Sequence, residues 1–421
     1  MNSSIIKQWF SVDYKKILFG FYLFTLLLLL AIHATNQNTT FAYIDEATYL
    51  ENVHIIEKYG FSAEMIRHYI GPPGPLYGTI HYVTRGFTQN IAAYTRFTTF
   101  FLFLLLIWKT KKLISIFEFQ SHFLISLSIL AIPITYMCAG MSLTEVPAML
   151  CVVMAVTILL KNIDNQGNVR YLQMLFAGFL MGLAILGRQN FLVILAGFPL
   201  LLWQKWEVKR VFALFLFFLA TLPLPLVVFS IWGGMIPSMN YEANQGVVVF
   251  HGFLAFQYAA IFTLMLAPSW FYPPNFKIIV IGMISFLLLL FLNYQFSFFQ
   301  FLPIKILTEK ITSEKIKLLL SSTFVATAIL STVYFVFSTY FHLQKNKENT
   351  SYIVLTACFY LLTASCASVS HMFGSRYVWL GMPFLLVMIG KEIRWNVWVL
   401  ATSLLGIGVG IYSLLQWIHY F

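Results

Sequence analysis

From Ile17 to Trp417 the chain alternates between long runs of apolar residues and short polar stretches, many of them basic. A bilayer crossing needs roughly 20 predominantly apolar residues, so these runs predict transmembrane helices. The first, ILFGFYLFTLLLLLAIHA, covers about residues 17–34 behind Lys7, Lys15 and Lys16. A signal peptide has a similar layout. This run is long enough to span, however, and no small-residue cleavage site follows, so an uncleaved helix starting in the cytoplasm is expected. Further crossings are predicted at roughly 91–108, 120–139, 144–160, 171–187, 190–203, 210–232, 253–268, 276–293, 318–340, 352–368, 377–390 and 397–417. The expected fold is an all-α integral membrane protein of about thirteen helices, forming one polytopic domain over residues 1–421.

Two polar stretches interrupt the pattern. Residues 35–90 carry Asp45, Glu46, Glu51, Glu57 and Glu64, then the turn-forming sequence IGPPGPLY. Gly and Pro stop a helix there. The segment PLYGTIHYVTRGF (75–87) is too short and polar to cross, and reads as an amphipathic helix at the outer interface. The second stretch, residues 294–317, holds Lys305, Lys310, Lys315 and Lys317.

Composition narrows the class. Apolar residues make up 60% and charged residues 10%, with a mean hydropathy of +0.80; a soluble domain has about 45–50% and about 25%. Too little polar surface remains to cover a water-soluble core, and intrinsic disorder is excluded with it. The net charge of +11 would suggest nucleic acid, but the basic residues sit in short clusters between apolar runs. Sixteen of 26 fall on the side assigned as cytoplasmic, against six of 15 acidic residues, as the orientation rule requires. The four lysines of 294–317 break that rule, which implies an anionic contact or an error in a neighbouring span. Cys138, Cys151, Cys358 and Cys366 lie in or beside apolar runs without CxxC spacing, so neither a disulfide frame nor a zinc site is indicated.

The outer-side charges are the candidates for chemistry. Asp45 and Glu46, in FAYIDEATYLENVHIIEKYGF, suit either a helix start, where acidic residues complement the dipole, or a general base at the membrane face. Glu145, in GMSLTEVPAML, is open to the same two readings. Arg188, in AILGRQNFLVIL, and Arg376, in HMFGSRYVWLGMPF, suit snorkelling to the headgroups or bidentate binding of a phosphate. His251 and His371 lie in later outer loops, and no HxH or HExxH spacing marks a metal site.

Taken together these segments resemble the GT-C class of membrane glycosyltransferases. Within that class the chain is most similar to the α-1,2-glucosyltransferases that complete the dolichol-linked N-glycan precursor. The resemblance rests on YIDEATYLENVHIIEKYGF with GPPGPLY, on LTEVPAML, GRQNF and IWGGMIPSMNYEANQ, and on SRYVWLGMP. GRQNF lacks a Thr of the family's element, and Trp232 stands before the paired glycines. The resemblance implies a hexose donor carried on a polyprenyl phosphate, a glycan or lipid-linked acceptor, and inversion at the anomeric carbon. It assigns catalysis to Asp45 as general base, with Glu46 and Glu145 beside it. Arg188, Arg376, Tyr377, His251 and Lys305 are the candidates for the donor phosphate. No metal or other cofactor is expected. The site would face the periplasm in a bacterial plasma membrane, which the Phe-, Ile-, Lys- and Asn-rich composition favours, or the lumen in an endoplasmic-reticulum membrane. Two alternatives stay open: a transporter or flippase, which would place charges near the midplane and show paired halves, and a polysaccharide polymerase or ligase, whose long polar loop would come late in the chain.

Overall fold

The computed structural model describes residues 13–35, 44–117, 119–164, 169–204, 206–237, 246–299, 312–369 and 374–420. Among them there is no β-strand. In chain order the helices are α1 (Tyr14–Thr35), α2 (Ile44–Tyr59), α3 (Ala63–His68), α4 (Leu76–Thr88), α5 (Ala92–Ile114), α6 (His122–Leu127), α7 (Ile134–Gly140), α8 (Glu145–Asp164) and α9 (Tyr171–Gly187). A 3-10 run over Gln189–Leu202 leads to α10 (Val208–Thr221) and α11 (Pro223–Trp232). Then follow α12 (Val249–Leu266), α13 (Phe276–Phe296), α14 (Glu314–Lys345), α15 (Thr350–Ser365), α16 (Ser375–Trp379), α17 (Met382–Ile389) and α18 (Val397–Tyr420). The protein is a multi-pass, all-α membrane protein.

Among the described residues eight helices are long and apolar enough to cross a bilayer, or ten if two sharply bent pairs each count as one span. About thirteen were expected, and the difference has local causes that a hydropathy window does not see. The expected span 120–139 is broken at Pro133, before which Ile132 is extended, and its two parts are bent by 94°. The expected span 190–203 is a 3-10 run containing Pro199. At about 2.0 Å per residue its 14 residues still extend about 28 Å, close to the hydrocarbon thickness. The segment 377–390 is divided between α16 and the eight-residue α17, which is buried on every side, as an all-round apolar helix must be. Lastly, α4 joins α5 through a 117° bend at Gln89 and Asn90, both in the left-handed region.

Contacts gather the chain into two compact units, a division that no linker or change of composition announces. The first comprises Met1–Gln189, Phe215–Ser238 and Ile393–Phe421. Within it α8 packs on both α5 and α9, and α1 meets α18 through a buried Tyr22–Ser403 hydroxyl pair at 3.0 Å. Helix α9 approaches the Phe217 backbone so closely that a Cβ on Gly178 would lie 2.2 Å from its carbonyl oxygen. Only glycine permits that crossing. The second unit comprises Asn190–Leu214 and Met239–Glu392. There α14 packs on α12 and α13, and aromatic stacking locks the loop after α12 to α14, with Trp270 on His342 at 4.8 Å and Tyr272 on Phe341 at 4.1 Å. Most of α13 is exposed and apolar, Phe276, Ile281, Met283, Leu287 and Phe291 included, as suits a helix facing lipid.

Candidate active site

The first unit gathers segments that lie far apart in sequence. Asp45 and Glu46 occupy the first turn of α2, where the helix dipole favours negative charge. Asp45 is partly exposed, whereas Glu46 is 0% exposed. A buried carboxylate is tolerated only when paired and hydrogen-bonded, and Glu46 is both. Arg96 of α5 grips it in a fork, with Nε donating to Oε1 at 3.0 Å and Nη2 to Oε2 at 2.7 Å. The Ser142 amide also donates to Oε1, at 2.6 Å, and the Ser142 and Thr95 hydroxyls meet at 2.7 Å.

The Gly-Pro turn is braced from α2. The Asn52 side chain donates to the Ile70 carbonyl and accepts from the Ile70 amide, both at 2.8 Å. Beyond it, Gly71 adopts φ +87°, and a Cβ on Gly74 would stand 2.3 Å from the Leu186 carbonyl oxygen. The turn is therefore seated on the last turn of α9, immediately before Arg188. There the Arg188 guanidinium pairs with the buried carboxylate of Glu145 at the start of α8. The neighbouring Gln189 amide donates to the Pro72 carbonyl of the turn and to the Met235 carbonyl at 3.2 Å. Trp232 closes the group, donating from Nε1 to the Ile66 carbonyl at 2.7 Å. Thus Asp45, Glu46, the Gly-Pro turn, Glu145, Arg188 and the paired-glycine loop all belong to one unit, held by specific polar contacts.

On α4, His81 is fully buried beside Tyr77, ring centroids 4.2 Å apart, and among the described residues neither ring nitrogen meets a hydrogen-bond partner. Burial pushes its pKa down to about 3, so it is neutral at ordinary pH. The remaining candidates lie in the second unit. His251 is buried, its Nδ1 donating to the Val369 carbonyl at 2.6 Å. Arg376 is partly exposed with its guanidinium carbon 5.5 Å from the centre of the Tyr377 ring, which is largely buried. Lys305, Lys310 and His371 lie outside the described residues, while Lys315 and Lys317 start α14, where Lys317 pairs with Glu314 at 2.9 Å. Among the described residues no three His, Cys, Asp or Glu side chains converge as metal ligands would.

Sequence reasoning passed over Arg96, Thr95, Ser142, Gln189 and Asn52. Arg96 carried a usable signal, because it is the one charge early in the apolar run AAYTRFTTFFLF, and an ionisable residue in such a run requires a partner. The others bond through amides or hydroxyls whose partners are set only by the fold.

No protein family and no curated protein matches the chain in sequence. In backbone shape it is similar to ArnT from Cupriavidus metallidurans bound to undecaprenyl phosphate, at a TM-score of 0.42 and 14% identity, covering 88% of this chain and 77% of that one. The same protein in the apo state gives 0.39 and 13%, over 87% and 77%.

Proposed function

We propose that the protein is a GT-C-type membrane glycosyltransferase that moves a hexose from a polyprenyl-phosphate donor to a glycan or lipid-linked acceptor at the outer face. One observation carries this reading. Segments that bear the resemblance, drawn from residues 45 to 235, belong to one unit that holds a partly exposed carboxylate, Asp45, and a buried arginine, Arg188, while SRYVWLGMP belongs to the other. In the proposed step the acceptor hydroxyl gives its proton to Asp45 as its oxygen bonds to the anomeric carbon. The bond from that carbon to the phosphate oxygen breaks with inversion, and the electron pair leaves on polyprenyl phosphate. Arg188, oriented by Glu145, stabilises the charge that grows on the leaving phosphate through its planar fork. Arg376 and Tyr377 are proposed for a donor phosphate from the resemblance of SRYVWLGMP, His251 from its place in a later outer segment, and Lys305 from the basic stretch 294–317 that breaks the orientation rule.

The sharply bent helix pairs favour a second reading, a transporter, because broken helices are common at transport sites. A transfer assay separates the two. Purified protein is given a panel of polyprenyl-phosphate hexoses with a lipid extract of the native membrane as acceptor, and free polyprenyl phosphate is measured. Release coupled to a glycosylated product supports the transferase. Movement of intact donor across a vesicle membrane without release supports the transporter.

A further inference from the structure

We infer that Arg96 is a positioning residue for the transfer reaction, acting through Glu46 to fix where Asp45 stands. The inference rests on the proposed role of Asp45 as base. Among the described residues the Glu46 carboxylate accepts from the two arms of the Arg96 fork and from the Ser142 amide. These donors come from α5 and from the residues just ahead of α8, one of the helices long and apolar enough to cross a bilayer. Arg96 lies on α5, in its second turn, and Ser142 lies just ahead of α8, held there by the Thr95 hydroxyl from α5. Glu46 itself belongs to α2, which precedes the Gly-Pro turn in the first polar stretch of the chain. The contact therefore ties the start of α2, in the first polar stretch, to α5 and to the approach to α8.

Asp45 is the next residue along, and that adjacency gives the tie its consequence. Successive residues of an α-helix stand about 100° apart, so a small rotation of the first turn of α2 swings the Asp45 carboxylate away from any fixed acceptor. A reacting group must be held to about 0.5 Å of its productive place, and misplacement of about 1 Å can cost about 10²-fold in rate. Stability gives little reason to keep a buried ion pair, since a well-packed apolar pair is often as stable. Direction is what it supplies: a planar fork on a carboxylate fixes both separation and rotation, which a Lys point charge does not.

The test is a double-mutant cycle on the full-length protein, with undecaprenyl-phosphate glucose as donor probe and the native lipid extract as acceptor. Arg96→Lys is expected to lower kcat about 10–100-fold while donor KM and donor binding stay at parental values. In the Asp45→Asn background the same substitution is expected to cause no further loss, because the group it positions has already been disabled. The neutral pair Glu46→Gln with Arg96→Gln keeps hydrogen-bonding groups without a lone buried charge, and serves where Arg96→Lys fails to fold; it should show the same kcat loss and the same absence of a further loss. Losses that multiply in the double variant would mean a general structural role and overturn the inference. So would parental kcat in Arg96→Lys or the neutral pair when Asp45→Asn is inactive. Full activity of Asp45→Asn alone would remove the base reading itself, and the inference with it.

Discussion

Two carboxylates of the first unit, Glu46 and Glu145, are almost wholly withdrawn from solvent, and each faces an arginine. Removing one partner from such a pair strands a buried charge, typically at about 3–5 kcal/mol, so conservative substitutions are the informative ones. Arg188→Lys keeps the charge and loses the planar fork; turnover is expected to fall about 10²-fold with the folded protein retained, as size-exclusion profiles would report. Lys at parental activity would make Arg188 a structural anchor only. His81 raises a different matter, because burial holds it neutral. The unfolded chain takes up its proton near pH 6.5 and the folded chain near pH 3. Its contribution is thus complete above pH 6.5 and is lost as pH falls toward 3, with a slope of at most about 1.4 kcal/mol per pH unit. His81→Phe should flatten that part of the stability profile, measured by thermal unfolding in detergent between pH 4 and pH 8. The sequence made the ionic candidates visible because charges are rare in this chain. It could not show that Glu46 and Glu145 are paired, because their partners stand 50 and 43 residues away.

At the scale of elements, the long apolar helices and the amphipathic segment were legible. Helix α4 forms where an amphipathic helix was expected, although it buries Tyr77 and His81 and leaves the apolar Val83 and Phe87 exposed. What hydropathy could not show is where a helix breaks or tightens. Pro133 and the 3-10 run before α10 keep the apolar composition of a straight span. Nor could it show which glycines are obligatory. Gly74 looks like one more turn residue in GPPGPLY, yet the backbone of α9 leaves no room for a side chain there. Gly74→Ala must push the turn off Leu186, at about 1–3 kcal/mol for overpacking. It is expected to lower the melting temperature and, by shifting the turn that Gln189 holds, to lower turnover as well. An unchanged melting temperature would mean that the turn is not seated as described.

At the scale of the whole molecule, the orientation proposed for the chain rests on its basic clusters. Residues 35–90 are expected on the outer side. Ser62, exposed at the start of α3, offers a site for testing this. With Cys151 and the three buried cysteines replaced by Ser or Ala, Ser62→Cys should react with a membrane-impermeant maleimide added to intact cells. Labelling only after the cytoplasmic side is opened would invert the topology and, with it, the face on which transfer is proposed. The division into two units was not legible, since both are built from the same apolar helices and one of the four passages of the chain between them falls inside a helix, α10.

Whether Asp45 removes the acceptor proton is decided by the turnover of Asp45→Asn. Asparagine keeps the size and caps a helix start about as well as aspartate, but it cannot take the proton. Turnover is expected to fall about 10²–10⁴-fold with donor binding and melting temperature close to parental values. Turnover at the parental rate would contradict that role for Asp45.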